Sequence, residues 1–261
     1  MISLRNIWIV AERDLRTFLN FKFMLIMRAI WFLAQIALFG VIVNKMLKPD
    51  VELAIGTSYF NFYAAGIIIT LLYSTTVFIG YDIYEEADHG VIEYLLSLPI
   101  SRKELVLGRS IGGGLRSSLY VSPMLLFVLY LIGVTNPLQF LVAFVSLFLF
   151  AFGVAGFSIT LAVSIKSSDK FDILLGVVNA LIVRLSTTLY PTVYMPQYYA
   201  AIAQFNPLTF AADLFRWGAG IESAVLTPPI SAALGIVLFF SFFTFLGIIL
   251  HERRLEGGGW H

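Results

Sequence analysis

Six continuous apolar runs, at 23–43, 59–79, 115–133, 140–163, 173–189 and 230–250, fill most of this 261-residue chain. Each holds 17 to 24 residues, and a helix crosses the hydrocarbon layer of a membrane with about 20 apolar residues. Backbone polar groups at that depth are satisfied only in helices or in closed barrels. The runs do not alternate with period two, which excludes the barrel. The chain is therefore expected to be all-α: a polytopic membrane protein with six transmembrane helices. A mean hydropathy of +0.88 and a charged fraction of 13% agree with this reading.

Ahead of the first run, Leu4, Ile7, Trp8, Ala11, Leu15, Phe18 and Leu19 recur at helical spacing. Arg5, Glu12, Arg13, Arg16 and Asn20 fall mostly on the other side. Segment 1–21 thus reads as an amphipathic helix lying in the membrane interface, and not as a cleaved signal peptide. Lys and Arg concentrate on the cytoplasmic side of membranes. With the amino terminus inside, 13 of the 17 basic residues lie in cytoplasmic segments or at their span ends. Only Lys45, Lys48 and Arg216 lie opposite, and Arg184 falls within the fifth run. Both termini are expected in the cytoplasm, and the protein in the cell's cytoplasmic membrane.

Two connections are longer than chain reversal needs. The cytoplasmic one, 82–114, opens with Asp82, Glu85, Glu86, Asp88 and Glu93. A short amphipathic piece follows at 91–98, with Ile92, Leu95 and Leu96 on one face, and Pro99 ends it. Ser101-Arg102-Lys103-Glu104 matches a capping box that starts a new helix. The connection reads as a helical elbow, and its apolar face suggests a partner surface.

At these residues the chain resembles the permease subunits of type-2 ABC exporters. The pattern is Glu86-x-x-x-Gly90-x-x-Glu93-x-Leu95-Leu96-x-x-Pro99-x-Ser101-Arg102, followed by Gly108-Arg109. Arg109 stands where the family usually has Lys. The resemblance covers the whole layout and implies one transmembrane domain over 1–261. It also implies that the elbow docks on a separate ABC ATPase subunit, present in two copies, and that the permease pairs with a second copy of itself or a related chain. No Gly-x-x-x-x-Gly-Lys-[Ser/Thr] loop occurs, so ATP and Mg are expected on that partner and no cofactor in this chain. Gly112-Gly113-Gly114 lacks the lysine and reads as a close helix contact, as does Gly108-x-x-x-Gly112.

The other long connection, 190–229, carries five prolines and almost no charge. Helical pieces at 197–204 and 208–217 are too short to span and are expected to re-enter the outer leaflet. Asn206-Pro207, with Asn206 as cap, and Arg216 resemble the family's segment before the last span. Within the spans, Arg184 either lines a path for an anionic or amphiphilic substrate or pairs with Asp172 or Asp213. Tyr63 and Tyr73 are candidates for a gating ring on that path, while Arg28 and Arg116 read as headgroup anchors.

An ion-coupled secondary transporter predicts internal repeats and acids near the midplane, and neither is evident. An intramembrane enzyme predicts a catalytic cluster, and no motif supplies one. His89, His251 and His261 have no metal-ligand spacing, and cysteine is absent. Lipid is an expected partner and nucleic acid is not. An ATP-driven export subunit is the reading the residues favour.

Overall fold

The computed structural model describes residues 3–20, 22–46, 49–134, 136–165 and 167–256. Among these, every regular element is helical. Helix α1 (Leu4–Asn20) buries Ile7, Val10, Ala11, Asp14 and Phe18, a stripe at three- and four-residue intervals. Helix α2 (Lys22–Gln35) runs on as a π-helix over Ile36–Val43, then α3 (Asn44–Met46) and α4 (Pro49–Ile55) turn the chain. Helix α5 (Tyr59–Thr76), capped by Ser58, is the most deeply buried and forms the bundle's centre.

After Val77 and Phe78 the helix resumes as α6 (Ile79–Asp88). The break is satisfied from outside: the Gly80 amide donates to Ser158 Oγ at 3.1 Å, and that hydroxyl donates to the Val77 carbonyl. Gly90, at φ +68°, starts the short α7 (Val91–Ser97) from a left-handed conformation that glycine adopts without strain. Helix α8 (Arg102–Ile132) follows, 31 residues and about 46 Å long at 1.5 Å per residue. That exceeds the roughly 30 Å hydrocarbon layer, so α8 has turns to spare beyond it, and α1 packs along its first half. The capping box forms as the sequence suggests, Ser101 Oγ accepting from the Glu104 amide and Glu104 from that of Ser101 at 2.8 Å. Glu104 also accepts from the Ser3 amide and from the Asn6 side chain, which ties the start of α1 to the start of α8.

The remaining helices are α9 (Pro137–Ser164), α10 (Ser168–Arg184), α11 (Gln197–Ala203), α12 (Pro207–Gly218) and α13 (Pro229–Glu256). Among the described residues, five stretches are long and apolar enough to cross a membrane: Leu25–Ile42, Tyr59–Asp88, Arg102–Ile132, Pro137–Ser164 and Pro229–Leu250. The fifth expected run, 173–189, differs. Its helix begins at Ser168 and ends at Arg184, leaving 185–189 in a turn. The cause is remote in sequence: the Asn206 side chain donates to the carbonyls of Ile182 at 2.7 Å and Leu185 at 3.1 Å, closing the helix there.

Glycines decide how α8 packs. A Cβ on Gly108 would lie 2.6 Å from Val10 Cβ, and one on Gly112 3.0 Å from Ala11 Cα. On Gly113 it would meet Ile79 Cδ1 at 2.5 Å, and on Gly114 the Phe152 backbone at 3.1 Å. Three successive glycines therefore face three helices, α1, α6 and α9. We expect Gly108→Ala to lower stability by about 1–3 kcal/mol through overpacking. Because the nearest obstacles include Val10 Cβ at 2.6 Å and Cγ1 at 2.8 Å, Val10→Gly, which removes both, should couple favourably to Gly108→Ala. A double-mutant cycle on thermal unfolding in detergent checks this, and strictly additive effects would contradict the contact.

Candidate functional site

Three polar assemblies stand out from the apolar bundle. The first joins α1, α6 and α8 beside the elbow. Glu86 accepts from Arg13 Nη2 at 2.6 Å and from the Arg109 guanidinium. Arg13 also reaches Asp14 at 2.8 Å, and Arg116 pairs with Asp82 at 2.6 Å. Arg109 is only 2% exposed and Arg116 4%. Arg116 is thus no headgroup anchor, contrary to its reading from sequence: Asp82 and the Phe18 ring, 5.1 Å away, hold it inside. Arg28, the other expected anchor, stacks on Phe78 at 4.1 Å. A cavity of about 360 Å³ opens beside this cluster, lined by Arg13, Asp82, Glu85, Glu86 and Arg116. Removing one partner of a buried pair strands the other charge and costs roughly 3–5 kcal/mol, so Glu86 makes the elbow's approach to α8 rigid.

On the elbow, Ile92 and Leu95 turn inward, where Leu95 packs with Val10 and Leu105. The apolar face that sequence offered to a partner is used within the chain. Exposed instead are Glu93, Tyr94, Ser97 and Pro99, with Tyr94 64% exposed. Gly90 and Ser101 bracket the elbow as its turn and cap, and Arg102 opens α8. The side chain of Leu96 lies outside the described residues.

The second assembly is a seam of tyrosines between α5–α6 and their neighbours. Tyr63 donates to Gln35 of α2 at 3.1 Å, Tyr73 to Asn179 of α10 at 2.5 Å, and Tyr81 to Asp172 of α10. Tyr59 stacks on Tyr63 with centroids 5.9 Å apart. Tyr63 and Tyr73 are buried, so within one chain they act as struts and not as the wall of an open channel. Arg184, the last residue of α10, is exposed. Neither proposed acid pairs with it, since Asp172 accepts from Tyr81 and Asp213 is taken by Arg216.

That third assembly is fully buried. Arg216 donates to Asp213 at 3.3 Å, to Thr187 Oγ1 at 3.2 Å and to the Thr187 carbonyl at 2.8 Å, with the Phe62 ring 3.8 Å below. The second Asp213 oxygen accepts from the Leu226 and Thr227 amides and the Thr227 hydroxyl, all within 3.0 Å. Asn206 caps α12 through the Leu208 amide at 2.9 Å while closing α10, and Pro207 occupies the first helical turn. One hub therefore fixes α5, the 185–190 turn, α12 and the approach to α13. Arg216 and Asn206 carried a sequence signal. Thr187, Thr227 and Gly66 did not, because only the folded turn brings them together.

A family model described as ABC-2 type transporter matches residues 5–219. The chain belongs to the ABC-2 type transporter family. Its matched region runs from α1 to the end of α12 and takes in the first two assemblies and all of the third but Leu226 and Thr227. The chain is also similar to a putative transport permease, ycf38, from Cyanophora paradoxa, with 26% identity over 188 residues, 71% of this chain and 64% of that relative. It thus spans less than two thirds of the relative's length. An ABC-2 transporter permease is a membrane protein, in agreement with the apolar helices.

The hub of this ABC-2 chain makes a sharp demand on Gly66, where a Cβ would lie 1.8 Å from the Thr188 carbonyl oxygen. Gly66→Ala and Asp213→Asn should each abolish the monodisperse peak on size-exclusion chromatography in detergent, or lower thermal stability by roughly 3–5 kcal/mol. A normal profile for either variant would contradict the arrangement.

Proposed function

We propose that this chain is the non-catalytic, membrane-spanning permease subunit of an ATP-driven exporter, acting as a dimer with two copies of a separate ABC ATPase. The observation that carries the reading is the contrast within the elbow. Its inner side is welded to α1 and α8 by Glu86 between Arg13 and Arg109, while Glu93, Tyr94 and Pro99 face outward. A rigid lever with a free polar and aromatic tip suits a surface that is pushed by another protein. ATP and Mg belong to that partner, because this chain has no phosphate loop.

In this reading α10, 17 residues and about 26 Å long, is the sixth span. The basic end of the bundle lies in the cytoplasm, with α1 in the interface along the inner leaflet of the cytoplasmic membrane. Helices α11 and α12, too short to cross, re-enter the outer leaflet around the Asp213–Arg216 hub. Six spans in one chain enclose no wide path, and a symmetric pair is the common solution. Between the two copies Arg184 would border the route, with Tyr63 and Tyr73, buried in each copy, bracing the helices behind it. Closure of the ATPases on ATP would press on Gly90, Glu93, Leu96, Pro99, Ser101 and Arg102, with Leu95 behind them against Val10 and Leu105, and the substrate would favour one of the two resulting states.

Affinity capture of the tagged permease from its source membrane should recover an ABC ATPase. Tyr94→Ala with Glu93→Lys should remove that ATPase with stability changed by no more than about 0.5 kcal/mol, as for exposed positions. Glu86→Ala and Arg102→Ala should insert normally yet separate ATP use from transport in reconstituted vesicles. Recovery of the ATPase with the doubly substituted tip would refute the docking surface.

A further inference from the structure

A cavity of about 460 Å³ lies at the far end of the bundle from the elbow, lined by Arg184, Tyr59, Tyr190, Tyr194 and Tyr199 among others. No acid among the described residues lines it, and Asp172 and Asp213 are held by Tyr81 and Arg216. Arg184 thus brings a full positive charge, with no counter-ion among the described residues, to a space lined by four tyrosines. Pro191 and Pro196 bracket the 3₁₀ turn Thr192–Tyr194, and proline fixes φ, so the backbone that carries Tyr190 and Tyr194 is held in place while the tyrosine side chains stay exposed. Along α10 below Arg184, Leu181 and Val177 are exposed on successive turns.

We propose that this cavity binds the anionic headgroup of an amphiphile, its phosphate-type anion on Arg184, its hydroxyls on the tyrosines and its chain along α10. A guanidinium presents a planar fork of donors that matches phosphate or carboxylate, and charge-assisted bonds of this kind are the strong ones. Phenol rings beside it accept both apolar contact and hydroxyl groups. The proposal rests on α10 crossing the membrane with Arg184 at the outer face, and it names the substrate class for the route that Arg184 borders.

The same phosphate chemistry is offered by a lipid or by a soluble phosphate ester, and the experiment separates them. Native mass spectrometry of the purified full-length chain in detergent counts retained phosphatidylglycerol against phosphatidylcholine. The unaltered chain should favour phosphatidylglycerol by about tenfold, the scale of one charge-assisted hydrogen bond. Arg184→Gln should lose that preference and Arg184→Lys should keep most of it. Lys45→Gln, which removes another exposed charge, should leave it unchanged. Displacement of phosphatidylglycerol by glycerol phosphate would show that the headgroup suffices, and failure to displace would show that the chain takes part. Equal retention of the two lipids, or a preference that survives Arg184→Gln, overturns the proposal. Either result leaves the coupling reading standing, because that is decided separately at Glu93 and Tyr94.

Discussion

Glu86, gripped by Arg13 from one helix and Arg109 from another, is the interaction on which the lower half of the molecule depends. Charges at the margin of an apolar layer have little water to fall back on, and an unpaired one is costly. The chain therefore uses its charges as joints. Arg116 with Asp82 repeats the arrangement one step along α8, and Arg216 with Asp213 repeats it at the other end. The first two pairs join helices far apart in sequence, whereas Arg216 and Asp213 both lie on α12 and reach other segments through their further hydrogen bonds to Thr187 and Thr227. Well-packed apolar residues would cost less in such places. What the pairs add is a fixed register, since a guanidinium fork accepts a carboxylate in few geometries.

Between the joints, contact is set by the absence of side chains. Interfaces between membrane helices gain little from the hydrophobic effect, because lipid is as apolar as protein, and they rely on close approach. Gly108 and Gly112 admit α1, Gly113 admits α6, Gly114 admits α9, and Gly66 admits the Thr188 carbonyl. The approach and the joints reinforce each other. Arg13 reaches Glu86 because Gly108 and Gly112 let α1 sit low on α8.

Local signals carried much of this architecture into the sequence. The apolar runs marked the long helices, the Ser101–Glu104 capping box marked the start of α8, and Asn206-Pro207 marked the start of α12, each a matter of a few neighbouring residues. Pairings over distance were not legible. Arg28 and Arg116 look alike as basic residues near span ends, yet Asp82 draws one of them inside. Arg184 seemed to sit in mid-span because the apolar run continues to Leu189, whereas Asn206 ends the helix before it. Ile92 and Leu95 had the pattern of an exposed docking face, and nothing local announced that Val10 and Leu105 would cover Leu95. Amphipathic spacing shows that a face is buried and leaves open what buries it.

The distribution of ties bears on how a push at the elbow would travel. Below Val77, α6 is bound to α1 and α8 through Glu86 and Asp82. At the break itself α5 and α6 are linked across a side chain, Ser158, which takes the Gly80 amide and gives to the Val77 carbonyl. These two bonds, with the backbone bonds from Gly80 to Val77 and from Tyr81 to Phe78, yield more readily than buried ion pairs, since each bond contributes about 1 kcal/mol and each broken buried pair costs several. Gly80 has no room for a side chain, with Phe171 and Ser158 pressed against it, so the break is kept at one place. A displacement of the elbow would therefore move α6, α1 and the start of α8 together and be absorbed at 77–80. From there it reaches α10 through Phe171 and through the Tyr81–Asp172 and Tyr73–Asn179 bonds, which lie on either side of the hinge. In the proposed function, α10 would then be the element whose position follows the elbow, with Arg184 at its tip on the far side.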